Sequence, residues 1–191
     1  YGPGRFERLD LYRPAGVTRA PIFVFIHGGY WQASDKAQHA QFSQGLLDAG
    51  YAVAMPNYGL APDTPLETSL AQSVAALNFL VRESDALGLD PARLHVSGHS
   101  AGGHLATVVL CAENAPPVAS ALLLSGLYDL DPLGHLPLGR LLGLDDATRA
   151  KRLSPIAQPR PQSTRIAFAV GEGESDAFKA QSAALAATWQ A

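Results

Sequence analysis

Apolar and polar positions follow two rhythms along the chain, and the two rhythms alternate. Arg8 to Tyr12, RLDLY, switches polarity with a period of two, as an edge strand does. Ile22 to Ile26, IFVFI, is an unbroken β-prone apolar run, which predicts a strand covered on both faces. YAVAM (Tyr51 to Met55), RLHVSG (Arg93 to Gly98), SALLLSG (Ser120 to Gly126) and RIAFAVG (Arg165 to Gly171) are further strand candidates. Between them, Leu70, Val74, Leu77, Leu80 and Val81 recur at helical spacing and predict one apolar face of a long helix opened by Pro65 and Thr68. Ser34 is the expected N-cap of an earlier helix that runs to about Ala49, with Gly50 in the stop position. Ala177 to Trp189 predicts the last helix. Leu127 to Pro161 is irregular, with one short helix expected near Asp146 to Arg152.

Strands alternating with helices imply βαβ units and a mainly parallel, doubly wound α/β sheet in a single domain over residues 1–191. Ligands of such sheets sit beyond the carboxyl ends of the strands. The segments that follow the strands are HGGYW from His27, PNYGLAP from Pro56, GHSAGG from Gly98, GLYDLDP from Gly126 and GEGESDAF from Gly171. Glycine and polar residues therefore gather at one sheet edge, the candidate site.

Composition narrows the function classes. With 47% hydrophobic and 16% charged residues the chain is neither disordered nor a solvated coiled coil. A net charge of −3 without a basic run leaves nothing to hold a nucleic-acid backbone. No apolar run approaches the roughly 20 residues of a membrane span, and no signal-peptide pattern opens the chain. Cys111 is the only cysteine, so no internal disulfide is possible, and its apolar context predicts a small buried hydrophobe. A cytoplasmic protein acting on a small molecule, with homo-oligomerisation open, is the expectation.

Gly98-His99-Ser100-Ala101-Gly102 fits the G-x-S-x-G nucleophile elbow, in the strand–turn–helix setting the motif requires. A sharp turn pushes the serine hydroxyl into the cleft, and glycines two residues to either side avoid collisions. The helix that follows aims its first amides at a developing oxyanion. The loop after Ile26 supplies the other half of such a hole, so Gly29, Tyr30 and Ala101 are the candidate backbone donors.

These segments, HGGYW, NYGLAP, SGHSAGGHLA and SGLYDLDPL, resemble the α/β-hydrolases of the esterase/lipase type with an HGG oxyanion motif. More narrowly they resemble the kynurenine formamidase (arylformamidase) family, above all in the Tyr-Trp pair of HGGYW. The resemblance implies Ser100 as nucleophile and hydrolysis of the formamide of N-formyl-kynurenine to kynurenine and formate, in tryptophan breakdown, with no metal or cofactor. It offers Tyr30, Trp31, Tyr58 and Tyr128 as rings that stack on an aryl substrate; ordinary rim and core packing is the alternative for each.

The fold orders its triad as serine, acid, histidine along the chain. Glu174 and Asp176 both follow the last strand. Glu174 takes the place usual for the family's acid, and Asp176 is the alternative, with capping of the final helix as its other role. Asp129 is expected to order its own loop. No histidine follows Glu174; the last one is His135. His27 is expected to fix the oxyanion loop, and His104 to hydrogen-bond it. His39 falls in a helix, His95 in a strand, His99 beside the serine and His135 in a loop. His99 and His104 lack the spacing and the carboxylate of a metal site. The expectation is therefore a hydrolase fold whose last strand, base-bearing loop and closing helix are absent, and whose triad is incomplete. A carboxylesterase on short acyl esters, and a non-catalytic scaffold that keeps the fold, are the competing readings.

Overall fold

The computed structural model describes residues 1–190, which form one six-stranded sheet in the order β1-β3-β2-β4-β5-β6. The strands are β1 (Leu9–Tyr12), β2 (Ala20–Ile26), β3 (Ala52–Pro56), β4 (Leu89–His99), β5 (Ser120–Leu124) and β6 (Arg165–Ala169). Only β1 runs antiparallel, with Leu9 opposite Pro56; the other pairings are parallel. Ile26 pairs with Gly98, and His99 with Leu124. That register brings the loops after β2, β4 and β5 side by side.

The helices are α1 (Ser43–Asp48), α2 (Leu66–Arg82), α3 (Ser84–Leu87), α4 (Ala101–Cys111), α5 (Pro137–Leu141), α6 (Ala147–Leu153) and α7 (Asp176–Gln190). Ile22, Val24 and Ile26 of β2 share a core with Leu77 of α2, Leu105 of α4 and Leu185 of α7. Phe25, Val53 and Met55 form a smaller core against Leu46 and Leu47 of α1. Alternate residues of a doubly covered strand thus enter different cores, which is why IFVFI carries no polar position.

Along α2, Leu66, Leu70, Val74, Leu77 and Leu80 are buried as the helical spacing requires. Ser69 and Ser73 are buried on the same helix, and their hydroxyls donate to Gly59 O and Ser69 O, so neither is left unpaired. Glu67 in its first turn receives Arg149 from α6 through two nitrogens (2.9 and 2.7 Å) and Arg152 through one (2.9 Å). Arg149, more than Arg152, holds the Glu67 carboxyl down at about 2.

Two expectations change. Ser34 does not cap a helix: its φ is 85°, and Asp35 is the cap, accepting from Ala37 N–H (2.9 Å) at the head of a 3₁₀ turn, Lys36–Phe42, that leads into α1. The Ser34 hydroxyl is engaged instead with Gln38 and His39. The stretch from Leu127 to Pro161 holds more helix than its pattern indicates: α5, α6 and two 3₁₀ turns, Asp131–His135 and Pro155–Ala157. Tertiary anchors stabilise these pieces. Asp146 caps α6 through Thr148 and Arg149 N–H, and Ser154 Oγ accepts Leu130 N–H (2.8 Å).

The two sides of β6 differ. Ile166 and Phe168 pack on the main core, whereas Arg165, Ala167 and Ala169 are exposed, as is Leu122 beside them on β5. Among the described residues, no helix is long and apolar enough to cross a membrane.

Candidate active site

β4 ends at His99 and α4 begins at Ala101, so Ser100 alone makes the turn, at φ 55° and ψ −120°. A side chain in left-handed backbone costs about 1–3 kcal/mol and persists only where its surroundings impose it. Here they do. Ser100 N–H donates to Leu124 O of β5 (2.9 Å), and Ser100 O accepts His104 N–H (3.1 Å). A Cβ at Gly98 would strike the Gly102 carbonyl, and one at Gly102 would strike the carbonyls of Ile26 and His27. The elbow and the loop after β2 are therefore in backbone contact. A Cβ on Gly28 would stand only 3.2 Å from Ser100 Cβ, so that loop passes directly beside the serine.

The loop itself holds three successive residues in left-handed backbone: Gly29 (φ 110°), Tyr30 (57°) and Trp31 (57°). Gln32 and Ala33 N–H both return to Gly29 O (3.0 Å each) and close the turn. The N–H groups of Gly29 and Tyr30 take part in none of the hydrogen bonds among the described residues. Ala101 N–H, first in α4, has no intrahelical acceptor. Three candidate amide donors thus stand near one serine, two in a loop that passes its Cβ and one in the residue that follows it.

Buried polar contacts hold this loop. Tyr58 Oη donates to His27 O (2.9 Å), and the Tyr58 and His27 rings stack at 4.5 Å. His27 Nδ1–H donates to Gly28 O (2.8 Å), while Nε2 has no partner among the described residues. Burial pushes the His27 pKa below its usual value. Ala61 N–H donates to Trp31 O (2.8 Å), and Trp31 Nε1–H donates to His104 Nδ1 (3.2 Å).

The aromatic expectation needs correction. Trp31, Tyr58 and Tyr128 are 1%, 1% and 0% exposed, so these rings belong to the core and face no open cleft. Trp31 and Tyr58 direct their polar atoms to His104 and the His27 carbonyl; Tyr128 packs edge-on against Phe168. Of the four rings only Tyr30, 64% exposed, is open to a ligand.

At the far end of the edge, Ser125 follows β5 with φ 47°. Its hydroxyl donates to Glu174 Oε1, and Gly171 N–H donates to the same oxygen (3.0 Å). The Ser125 bond first, then the Gly171 bond, lowers the Glu174 pKa. Oε2 of Glu174 accepts nothing among the described residues. Asp176 is exposed and is the first residue inside α7, one position past the cap it was expected to be. Asp129 Oδ1 accepts Asp131 N–H (3.1 Å) within its own loop. Gln181 of α7 grips that loop, its Oε1 accepting Tyr128 and Asp129 N–H (2.7 and 2.8 Å) and its Nε2 donating to Asp129 O (2.9 Å). Sequence reasoning missed Ser125 and Gln181. The only signal for Ser125 was a hydroxyl just past a strand end.

The histidines scatter. His104 is fully buried, and burial pushes it down to about 4. His95 Nδ1 and Ser120 Oγ are hydrogen-bonded (2.8 Å) within the sheet. His39 contacts Ser34 Oγ (3.2 Å) and stacks on His27. His99 is exposed at the elbow, and His135 is exposed at the end of its 3₁₀ turn. None hydrogen-bonds the Ser100 hydroxyl. No group of three or more His, Cys, Asp or Glu able to hold a metal occurs among the described residues.

Comparison with known proteins places these features in context. The model of the BD-FAE family matches residues 9–122, more than half of the chain. Kynurenine formamidase of Drosophila melanogaster is 32% identical over 197 residues, and that of Salmo salar 27% over 192, each match covering 95% of this chain. The chain spans 64% of the length of either relative. A crystal structure from Silicibacter sp. tm1040, described provisionally as a thioesterase, superposes with a TM-score of 0.89 at 32% identity, covering all of this chain and 71% of that one. The six-stranded sheet is that of the α/β-hydrolase fold.

Proposed function

The chain belongs to the BD-FAE family, and from that premise we propose that it carries the nucleophile of a serine hydrolase for small acyl or formyl amides and esters, with N-formyl-kynurenine as the substrate it fits best. The observation that carries this reading is Ser100, held at φ 55° and ψ −120° beside Gly28, with the amides of Gly29, Tyr30 and Ala101 near it. In this mechanism Ser100 Oγ attacks the carbonyl carbon, and the oxygen that gains charge is received by those three N–H groups. Each such donor is worth on the order of 10²–10³ in rate. A histidine from outside residues 1–191 takes the serine proton, oriented by the free Oε2 of Glu174. Collapse of the adduct breaks the bond to the leaving amine or alcohol, which receives that proton. Water then releases formate, or the carboxylate, from the serine ester. The exposed ring of Tyr30 stacks on the aryl group. The formamidase relatives support the formamide; the thioesterase-like neighbour supports an acyl ester or thioester as the second reading.

The test is turnover of N-formyl-kynurenine beside short p-nitrophenyl esters by the full natural gene product, with Ser100→Ala as control. Loss of both activities in Ser100→Ala is expected. Ester turnover alone favours the second reading, and activity that survives Ser100→Ala overturns the nucleophile. A full-length protein inert toward every acyl substrate supports the scaffold.

A further inference from the structure

We propose that His104 is a positioning residue for the oxyanion donors, fixing the Gly29–Tyr30 amides by accepting the indole proton of Trp31. The proposal rests on the serine-hydrolase reading and assigns a role to a group that the reaction itself does not use.

His104 touches three parts of the fold. Its backbone N–H donates to Ser100 O (3.1 Å), one turn back along α4. Its Nδ1 accepts Trp31 Nε1–H (3.2 Å), with the two rings edge-on at 5.3 Å. Its Nε2–H donates to Leu153 O (2.9 Å), the carbonyl that ends α6. The Leu153 bond decides the tautomer: with the proton on Nε2, Nδ1 carries the lone pair that the indole needs. Burial keeps the ring neutral through the neutral pH range, so it remains an acceptor there.

Trp31 is the last of the three left-handed residues, and the run Gly29 to Trp31 has no sheet or helix ladder to hold it. Its anchors at that end are the Trp31 carbonyl, bonded by Ala61 N–H, and the indole, bonded by His104. Because His104 also bonds the Ser100 carbonyl, one residue ties the serine turn to the loop that carries two of its three candidate donors. An oxyanion hole is sensitive to such a distance, since its donors act only where the oxygen will be.

Three variants of the full natural gene product test this. His104→Leu removes both side-chain bonds. His104→Asn returns an acceptor oxygen where Nδ1 was, without the reach to Leu153 O. Trp31→Phe removes the donor. The expected result for His104→Leu is a kcat lower by roughly 10–100-fold with KM changed by less than about threefold. His104→Asn should recover much of that loss, and Trp31→Phe should reproduce it. Residues 1–191 hold two tryptophans, Trp31 and Trp189, and the Trp31 indole peak of the ¹H–¹⁵N spectrum is the one that disappears in Trp31→Phe. The Trp31 peak should move in His104→Leu and return toward its place in His104→Asn. Equal losses in Leu and Asn, a loss confined to KM, or an unmoved indole peak would overturn the proposal. If His104→Leu does not fold, wild-type kcat in Trp31→Phe overturns it. If the Ser100→Ala control instead defeats the hydrolase reading, the Gly29 and Tyr30 amide peaks still decide: displaced in Trp31→Phe, they support the anchor; unmoved, they refute it.

Discussion

Around Ser100, the side chains of Ile26, His27, Trp31 and Ala101 are all 1% exposed or less. Around Glu174, residues 171–173 and 175–177 are all exposed. Both groups lie at the carboxyl edge of one sheet, yet they are held differently. The elbow corner is fixed by backbone contact, by the left-handed Trp31 buried in the core, and by its indole–imidazole bond. The acid corner is fixed by two hydrogen bonds to one carboxylate oxygen. The difference teaches that the corner of the candidate nucleophile keeps its geometry through packing and backbone contact, where a side chain added at Gly98 or Gly102 has no room. The corner of the candidate acid rests on one partly exposed side chain, which can be changed while the fold stands.

The contrast can be broken from either side. The largest expected effect is on activity at the acid corner. Glu174→Gln should lower kcat/KM by on the order of 10³–10⁴ while the urea midpoint hardly moves. Asp176→Asn should stay within about threefold of wild type. A larger loss at Asp176 would reassign the acid.

At the elbow corner the largest effect should be on stability. Gly102→Val drives a side chain into the carbonyls of Ile26 and His27, and should cost at least about 3 kcal/mol in denaturant unfolding. A folded, wild-type-stable Gly102→Val would remove the claim that packing defines this corner.

A smaller effect should appear with pH. His104 is neutral when folded, with its pKa lowered by burial from 6.5 to about 4. The unfolded chain therefore binds the proton more readily, and stability is at its full value above about pH 6.5 and falls as the pH drops. His104 should contribute about 2 kcal/mol of loss at pH 5 relative to pH 8. His27 shifts in the same direction. Urea melts at these pH values should thus show a slope reduced, but not abolished, in His104→Asn. An unchanged slope would mean that His104 is not buried and neutral.

Smallest of all, Ser125→Ala removes one donor from Glu174 while Gly171 N–H remains. A loss of about 1 kcal/mol in transition-state stabilisation is expected, seen as several-fold in kcat/KM. A loss as large as that of Glu174→Gln would show that the acid corner is as tightly built as the elbow.

Much of this was legible along the chain, for identifiable physical reasons. Strand and helix periods are local, so IFVFI, the Leu70–Leu80 stripe and the helix α7 could be located without the fold. The elbow was legible because its steric demands leave a mark in residue type, as glycine at 98 and 102. That the loop after β2 lies beside the elbow could be expected from the order of strand ends, and the HGG motif made Gly29, Tyr30 and Ala101 the candidate donors.

Tertiary structure alone decided what each polar or aromatic group touches. Tyr30 and Trp31 are neighbours in sequence with the same φ of 57°, yet one is exposed and the other buried against His104. Nothing in the residue types separates them, because the bond that buries Trp31 spans 73 positions. Asp35 displaced Ser34 as cap because its second oxygen also meets Asn57 Nδ2 (2.6 Å), from the segment after β3. Ser125 and Gln181 escaped notice for the same reason: their partners lie 49 to 53 positions away. The sequence by itself determined which elements form and where the serine turn falls, since those depend on neighbours a few residues apart. Which histidine is structural, which ring is open and which carboxylate oxygen is free depend on contacts between distant segments, and only the folded chain settles them.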